Sequence, residues 1–242
     1  MEKVQGVPIP VEGTSEFERL NSMAKKAIIL LLVVFTLNVL EQQAFGMIFT
    51  NIGSDLGQAE LAPLITSLPG IVLGIVCVIY GALGDFVSLK RMTIFGMILF
   101  LGGSLFGVLF GTFDIWFVII ARILQAAGGQ VSGSVFLVLV SKYIKKENRV
   151  IYYSIFVAIF RFSAALGILL AGYVALINWV FLFGLPLILI LFVPSLLKNL
   201  PDDHVKGAQV DWIGFILIGA FAGAITMYFT NMNITWIYLS IV

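Results

Sequence analysis

Long apolar runs, separated by short polar segments, dominate the chain from residue 27 onward. A helix needs roughly 20 residues to cross the hydrocarbon core of a bilayer, which is about 30 Å thick. The runs are continuously apolar and lack the alternation of barrel strands, so each is predicted to be a helix that pairs its own backbone groups in lipid. Seven complete spans are predicted, at residues 27–50, 61–83, 92–112, 115–141, 150–177, 179–197 and 212–230. An eighth begins near Trp236, and the pattern as a whole predicts an all-α polytopic membrane protein.

The polar breaks divide the chain into four predicted regions. Residues 1–26 form a cytoplasmic tail, 27–197 a six-helix transmembrane bundle, 198–210 a cytoplasmic loop, and 211–242 a linker helix with the truncated start of the next helix. The loop is the longest polar break after the tail, and it lies between the first six spans and the seventh.

The tail has a helical pattern of its own. Ser15 and Glu18 have the spacing of a capping box, and Phe17, Leu20 and Ala24 are spaced like one face of a helix. A short surface helix and a disordered tail are both compatible with this pattern.

Composition agrees with a membrane protein and excludes other classes. Hydrophobic residues make up 60% of the chain and charged residues only 11%, which is too apolar for a soluble domain of this size. The net charge of +1 gives no reason to expect a nucleic-acid partner. Cys77, the single cysteine, lies in an apolar run, which predicts a buried and unreactive thiol without a disulfide partner.

Basic residues determine the predicted orientation. With the N-terminus in the cytoplasm and the spans alternating, twelve of the fourteen Lys and Arg residues fall in cytoplasmic segments. The predicted outer loops contain only acids, namely Asp55, Glu60 and Asp114. The reverse topology would violate the positive-inside rule, so the N-terminus is predicted to be cytoplasmic. The expected location of this multi-pass protein is a cell membrane, and a bacterial origin is expected.

Three ionisable residues, Glu41, Arg122 and Arg161, lie inside predicted spans. A charge in the membrane costs several kcal/mol and usually serves function. At about 1.5 Å of rise per residue, Glu41 and Arg122 are both predicted roughly 20 Å from the cytoplasmic surface, and can therefore share one level. Arg161 is predicted near the middle of the fifth span, roughly 15 Å from that surface.

Two interpretations of Glu41 and Arg122 remain open. In the first, both border a polar cavity, and Glu41 exchanges a proton because burial and a neighbouring arginine act on a carboxyl group in opposite directions. In the second, they form a static pair that joins two helices, a role that small residues fill at lower cost. Gln42 and Gln43 are expected to line the cavity. Arg161 is expected to face an anionic or carbonyl-bearing substrate, or a group outside this chain.

Small residues and prolines indicate how the spans pack. Close helix contacts are expected where glycines recur, including Gly128, Gly167 and Gly172. Prolines are expected to kink the second and sixth spans, at Pro69, Pro186 and Pro194.

The loop between the second and third spans carries a motif. It reads Gly81-Ala-Leu-Gly-Asp85-Phe-Val-Ser-Leu-Lys90-Arg91 and resembles the signature of the major facilitator superfamily, with Leu89 where glycine is usual. The resemblance implies a gating loop formed by Gly81, Asp85, Lys90 and Arg91. Asp85 stands at the C-terminal end of a helix, where the helix dipole disfavours an anion. In this superfamily the opposite half of the transporter supplies the compensating group, and the contact latches one conformation.

The fourth span carries a second motif. Arg122-Ile-Leu-Gln125-Ala-Ala-Gly128 resembles the superfamily's Arg-x-x-Gln-Gly-x-Gly pattern, which is linked to proton coupling in its exporters, with Ala126 replacing the first glycine. Glu41 stands where tetracycline-type exporters have an acidic residue in a similar setting. The resemblance implies proton coupling by Glu41 and Arg122, with Gln125 at the cavity.

Two further segments bear on the subgroup. Asp211-Trp-Ile-Gly214 looks like the start of the extra helix pair in the fourteen-helix drug:proton antiporter subgroup. In the fifth span Gly167 is followed by Ile168, where the antiporter motif has proline, so the direction of transport stays open.

The resemblance implies a proton-coupled transporter that exports drug-like or other small amphipathic compounds by alternating access. It implies protons, a small-molecule substrate and the bilayer as partners, with no cofactor or metal, and a fragment that lacks its C-terminal bundle. An importer or facilitator of the same fold is one alternative, and a non-transporting membrane interaction protein is another. No enzyme is expected, because the sequence shows no metal-ligand cluster, nucleophile elbow or phosphate loop.

Overall fold

The computed structural model describes residues 11–84 and 87–202, with seven further positions at 213, 214, 217, 219–221 and 224. Five of its helices are long and apolar enough to cross a membrane, or six if one bent pair is counted as a single span. The all-α polytopic fold is therefore confirmed. The predicted seventh span, 212–230, and the start of the eighth lie almost entirely outside the described residues.

The long helices overlap the first five predicted spans. They are α1 (Ser15–Asp55), α2 (Leu64–Leu83, after a short 3-10 helix at Ala59–Leu61), α3 (Leu89–Phe110), α4 (Ile115–Tyr143) and α5 (Lys146–Ile177). Four of them extend past the apolar run on the side that carries Lys142, Lys145 and Arg149, which we call the basic end. The opposite side, with Asp55 and Asp114, is the acidic end.

The sixth predicted span is broken. It consists of α6 (Phe181–Gly184), a 3-10 helix (Leu185–Leu191) and α7 (Val193–Asn199), with a bend of 51° before α7. Pro186 and Pro194 stand in the first turn of the 3-10 helix and of α7. Proline has no N–H to donate to the preceding turn, so each interrupts the regular helix at that point. The kink predicted for this span is confirmed.

The N-terminal part of α1 differs from both interpretations of the tail. Thr14, not Ser15, caps the helix, and its Oγ1 accepts a hydrogen bond from the amide of Phe17 at 3.2 Å. Phe17 and Leu20 are buried, and the helix continues without a break into the first span. Asn21 Nδ2 donates to the carbonyl oxygen of Tyr143 at 2.9 Å, which fixes this turn against the end of α4. From residue 15 onward the segment is therefore neither a separate surface helix nor disordered.

At the basic end, Glu18 also pairs with the loop between α4 and α5. Its Oε1 lies 2.8 Å from Lys145 Nζ. The hydrogen bond and the charge of Glu18 raise the pKa of Lys145 above its ordinary value. Both side chains are well exposed, so water screens the pair and its contribution to stability is small.

At the acidic end, Gln58 joins the turn after α1 to the start of α4. Its Nε2 donates to Asp114 Oδ2 at 3.0 Å, and its Oε1 accepts from the amide of Ile115 at 3.1 Å. Asp114 also caps α4 by accepting from the amide of Trp116 at 2.8 Å. The Trp116 amide, and then Gln58, lower the pKa of Asp114. Gly57 has φ of +66°, a conformation that glycine adopts without strain, and it allows the turn that brings Gln58 to this position.

The helices are arranged around a central pair, α1 and α4. α5 packs against α1 while α2 and α3 pack against α4, and the broken span lies on α1 and α3. If spans one to three are matched with spans four to six, α1 corresponds to α4 and α2 corresponds to α5. The contact between α1 and α5 then corresponds to the contact between α4 and α2. This is the relation expected for two three-helix inverted repeats.

Close backbone contacts explain two of the three predicted packing glycines. A Cβ at Gly128 would lie 2.3 Å from the carbonyl oxygen of Gly96 on α3, and one at Gly167 would lie 2.4 Å from the carbonyl oxygen of Leu40 on α1. Gly172 faces open space within the described structure, so no packing contact requires a glycine there. Cys77 also differs from expectation, because its side chain is exposed on α2 rather than buried.

The interior consists of two apolar clusters. The cluster at the basic end contains residues such as Leu31, Phe100 and Phe136, and the cluster at the acidic end contains residues such as Phe45 and Ile119. Along α1 the first cluster ends at residue 34 and the second begins at residue 44. A layer of polar side chains lies between them.

Candidate functional site: a buried polar layer between the central helices

Five side chains form the polar layer: Asn38 and Glu41 of α1, Ser104 of α3, and Arg122 and Gln125 of α4. All are buried; Glu41 and Gln125 have no exposed surface and Arg122 is 3% exposed. Three- and four-residue spacing on a helix places side chains on one face, so Asn38 and Glu41 face α4 together, as Arg122 and Gln125 face α1.

Gln125 joins the charged residues. Its Nε2 donates to Glu41 Oε1 at 3.1 Å and to Ser104 Oγ at 2.9 Å. Its Oε1 accepts a hydrogen bond from an Nη of Arg122 at 2.8 Å. The acid and the arginine are therefore connected through one amide group, which orients both of them.

The Arg122 guanidinium also lies over the ring of Phe45, 4.3 Å from the ring centroid. Phe45 is one turn beyond Glu41 on α1, at the start of the apolar cluster of the acidic end. A cation over an aromatic face is favourable, the more so when water is excluded. Phe45 thus provides a second support for a charge that the interior would otherwise destabilise.

Three polar atoms of the layer have no hydrogen-bond partner in the described part of the chain. They are Asn38 Nδ2, Glu41 Oε2 and Arg122 Nε. Buried polar atoms in folded proteins nearly always have a partner, so the layer has unused hydrogen-bonding capacity at these three atoms.

A cavity of about 150 Å³ opens beside the layer, between α1, α2 and α4. Arg122 lines the cavity, whereas Glu41 is fully buried and is not among the lining residues. The other lining residues are Gln42, Gln43, Gly46, Thr66, Pro69, Gly70, Leu73 and Ala126. A solute in this cavity would reach the guanidinium of Arg122 first, and Glu41 only through the polar layer.

The residues expected at the cavity fall into three places. Gln42 and Gln43 line it. Gln125 is fully buried in the polar layer rather than at the cavity wall. Arg161 is exposed on α5, beside an open groove lined by residues of α5 such as Tyr153 and Ser154, and it is not among the residues that line the cavity of Arg122.

The loop predicted to gate is described only in part. Asp85 lies outside the described residues; Gly81 and Arg91 are exposed and Lys90 is half-buried. Lys142 Nζ of α4 donates to the carbonyl oxygen of Gly84 at 2.8 Å, which attaches the end of α2 to α4. On the other side of the loop, Ser88 caps α3 by accepting from the amide of Arg91, and its hydroxyl donates to Asp202.

Sequence reasoning missed four residues that shape these sites: Asn38, Ser104, Ser88 and Lys142. Asn38 could have been found, because it stands three residues before Glu41 on the same predicted helix face. Ser104 belongs to a different helix, and its contact with Gln125 depends on how α3 packs on α4. Lys142 was counted only as a basic residue of the cytoplasmic side, although its side chain is 7% exposed and bonded to a backbone carbonyl.

The structure is thus a bundle of helices long enough to span a membrane, with buried opposite charges and a small cavity. The family model described as "Major Facilitator Superfamily" matches residues 31–242, which is most of the chain. The chain therefore belongs to this family.

A solved structure described as "Crystal structure of peptide transporter POT in complex with sulfate" is similar in fold, with a TM-score of 0.62. The sequences are 18% identical, and the match covers 86% of this chain and 46% of that one. The chain thus spans about half the length of the transporter it matches. At this identity the likeness concerns the fold alone.

Proposed function

We propose that this chain is one bundle of a proton-coupled transporter, in which Glu41 exchanges the proton and Arg122 links that exchange to a solute in the cavity. The supporting observation is the bonded series Glu41–Gln125–Arg122, which begins at a fully buried acid and ends at the cavity wall. A purely structural pair would not need to border a cavity.

Coupling follows from the position of Gln125. Its carboxamide bonds to Glu41 on one side and to Arg122 on the other, so it can shift only if both contacts change. When Glu41 takes up a proton, its carboxyl loses its negative charge and attracts Arg122 less strongly. The guanidinium of Arg122 can then turn toward the cavity and take the place of the solute, which is released. When the proton leaves, the attraction is restored, Arg122 returns to the polar layer, and the cavity is open to solute again.

A second bundle completes the proposed transporter. α2 and α5 have much larger exposed surfaces than α1 and α4, and Arg161 lies on the exposed face of α5 near the middle of that helix. A charge at that depth is costly against lipid. Covering this face with a second bundle removes the charge from lipid and creates a central path, as alternating access requires. We expect no transport from residues 1–242 alone.

For the substrate, we propose small amphipathic compounds that are exported in exchange for protons. The cavity combines the amides of Gln42 and Gln43 with apolar groups such as Leu73 and Pro69, a lining suited to such molecules. Import through the same fold is the alternative, because Ile168 replaces the proline of the antiporter motif. The direction in which solute moves under an imposed pH gradient decides between them.

The test is Glu41→Gln in the transporter reconstituted into vesicles. Glutamine has nearly the same size and can still accept from Gln125, but it cannot exchange a proton at neutral pH. We expect solute binding to become independent of pH, and transport no longer to respond to the pH gradient. Glu60→Gln is the matched control, because Glu60 is an exposed acid next to α2. Proton coupling that survives in Glu41→Gln would refute the proposal.

A further inference from the structure

Asn38 belongs to the polar layer but not to the bonded series Glu41–Gln125–Arg122. It lies on α1, is 2% exposed, and stands three residues before Glu41. Its Oδ1 accepts a hydrogen bond from Gln42 Nε2 at 3.2 Å, and Gln42 lines the cavity. Asn38 is therefore bonded to a residue of the cavity wall and lies one helical turn from the buried acid.

The position of the Asn38 carboxamide is fixed from the side of α4. A Cβ built on Gly129 would lie 2.3 Å from Asn38 Oδ1 and 2.5 Å from Asn38 Cγ. The absence of a side chain at Gly129 is thus what gives the carboxamide its room. Between Gly129 and Gln42, the group has little freedom to turn.

The two unpartnered atoms on α1 are chemically complementary. Asn38 Nδ2 can only donate and Glu41 Oε2, as a carboxylate oxygen, can only accept. Residues three apart on a helix have Cβ atoms about 5–6 Å apart, a distance that one small molecule can bridge. Water is the molecule that fits, because it accepts and donates at once and is found where buried polar groups lack partners.

We propose that Asn38 and Glu41 hold a water molecule that carries protons between the cavity and the Glu41 carboxylate. A hydronium ion in the cavity gives a proton to the held water and becomes neutral water, while the held water passes one of its own protons to Glu41 Oε2. At each transfer one O–H bond breaks and another forms, and the held water is regenerated. Asn38 is a positioning residue in this step, and the inference rests on the proposed role of Glu41.

Arg122, Tyr80 and Arg161 are charged or titratable residues that the structure describes on the helices around α1. α4 contributes Arg122, which is bonded to Gln125 and covers Phe45. α2 contributes Tyr80, whose hydroxyl donates to the carbonyl oxygen of Ala127 at 2.9 Å. α5 carries Arg161 on its exposed face. Among the described residues, Arg122 is the charged group that is joined to Glu41, through the amide of Gln125.

Infrared difference spectroscopy between acidic and alkaline pH tests the water site directly. Glu41→Gln identifies the carboxyl band of protonated Glu41 by its loss, and heavy-oxygen water identifies bands of bound water. In Asn38→Leu we expect the water band to disappear and the carboxyl band to move to higher wavenumber. Asn38→Ser keeps a donor and is expected to retain the water band. A water band and a carboxyl band that are both unchanged in Asn38→Leu would overturn the proposal.

Gly129→Ala is a second variant, and it alters the site without altering Asn38 itself. The added methyl group must displace the carboxamide, so the same two spectral changes are expected. Proton uptake after a pH jump should slow by roughly tenfold or more in Asn38→Leu and in Gly129→Ala. An unchanged uptake rate in both variants would count against the water as the carrier.

The spectra also separate this inference from the proposed function. If Glu41→Gln leaves transport coupled to protons, the proposed function fails, and with it the carrier role of the water. If Glu41→Gln abolishes coupling but Asn38→Leu changes neither spectrum nor rate, the inference alone fails. Thermal unfolding in detergent verifies that every variant is folded.

Discussion

Gln125 of α4 donates a hydrogen bond to Glu41 of α1 across the centre of the bundle, with 3.1 Å between Nε2 and Oε1. Because both residues are fully buried, neither can exchange this contact for one with bulk water. The bond joins the two central helices between the apolar clusters. A single amide thus supports both the packing of the bundle and the arrangement of its charges.

Replacing Gln125 by leucine is expected to destabilise the protein strongly. The change leaves Glu41 Oε1, an Nη of Arg122 and Ser104 Oγ without the partner they have now. Buried charged groups that lose a partner cost about 3 kcal/mol or more. Reversible unfolding in detergent measures the change. Gln130→Leu on the same helix is the control, expected within about 1 kcal/mol of wild type, because Gln130 has no hydrogen bond within the described residues.

The glycines predict a contrast between two substitutions to alanine. At Gly128 the added Cβ would be 2.3 Å from backbone atoms of both Gly96 and Phe100, and α3 cannot yield as a flexible side chain could. We expect a loss of about 1–3 kcal/mol or more from overpacking. Gly172→Ala meets nothing within 4 Å and should be neutral or more stable by up to about 1 kcal/mol, since alanine favours helix. Equal effects in thermal unfolding would contradict the close α3–α4 contact.

The apolar runs were enough to predict the helices, because backbone groups in lipid have to bond within their own segment. Their order and the break at Pro194 follow from the same local rules. The start of α1 did not follow, because burial of Phe17 and Leu20 depends on the end of α4, more than a hundred residues later.

The candidate site was predictable only in part. Glu41 and Arg122 stand out because charged residues are rare in apolar runs. That Gln125 lies between them, rather than at the cavity wall, depends on the rotation of α4 about its axis. That rotation is set by packing at Gly128 and Gly129, which a periodic pattern does not specify.

The carboxyl group of Asp114 should make the stability of the folded protein fall as the pH becomes acidic. Its pKa is lowered by the Trp116 amide and by Gln58, so its contribution to stability is complete above the ordinary aspartate pKa of about 3.9. That contribution is lost as the pH falls through the lowered value in the folded protein. Thermal unfolding of wild type and Asp114→Asn should differ at neutral pH and converge in acid. A difference that stays constant down to strongly acidic pH would show that the carboxylate charge is not involved.

Lys142 gives a last test, at the loop that the sequence motif marks. Its amine donates to the Gly84 carbonyl from a buried position, so Lys142→Met should free the C-terminal end of α2 while keeping the apolar part of the side chain. A hydrogen bond from a charged donor contributes about 1.5 kcal/mol or more, which corresponds to roughly tenfold faster local opening. Hydrogen–deuterium exchange should therefore accelerate in residues 80–91 with little change at the acidic end. Lys145→Met is the matched control: Lys145 stands at the same end but pairs with Glu18 on the exposed surface, and exchange in residues 80–91 should not respond to its loss. The same acceleration in both variants would mean that general loss of positive charge, and not the bond to Gly84, controls this loop.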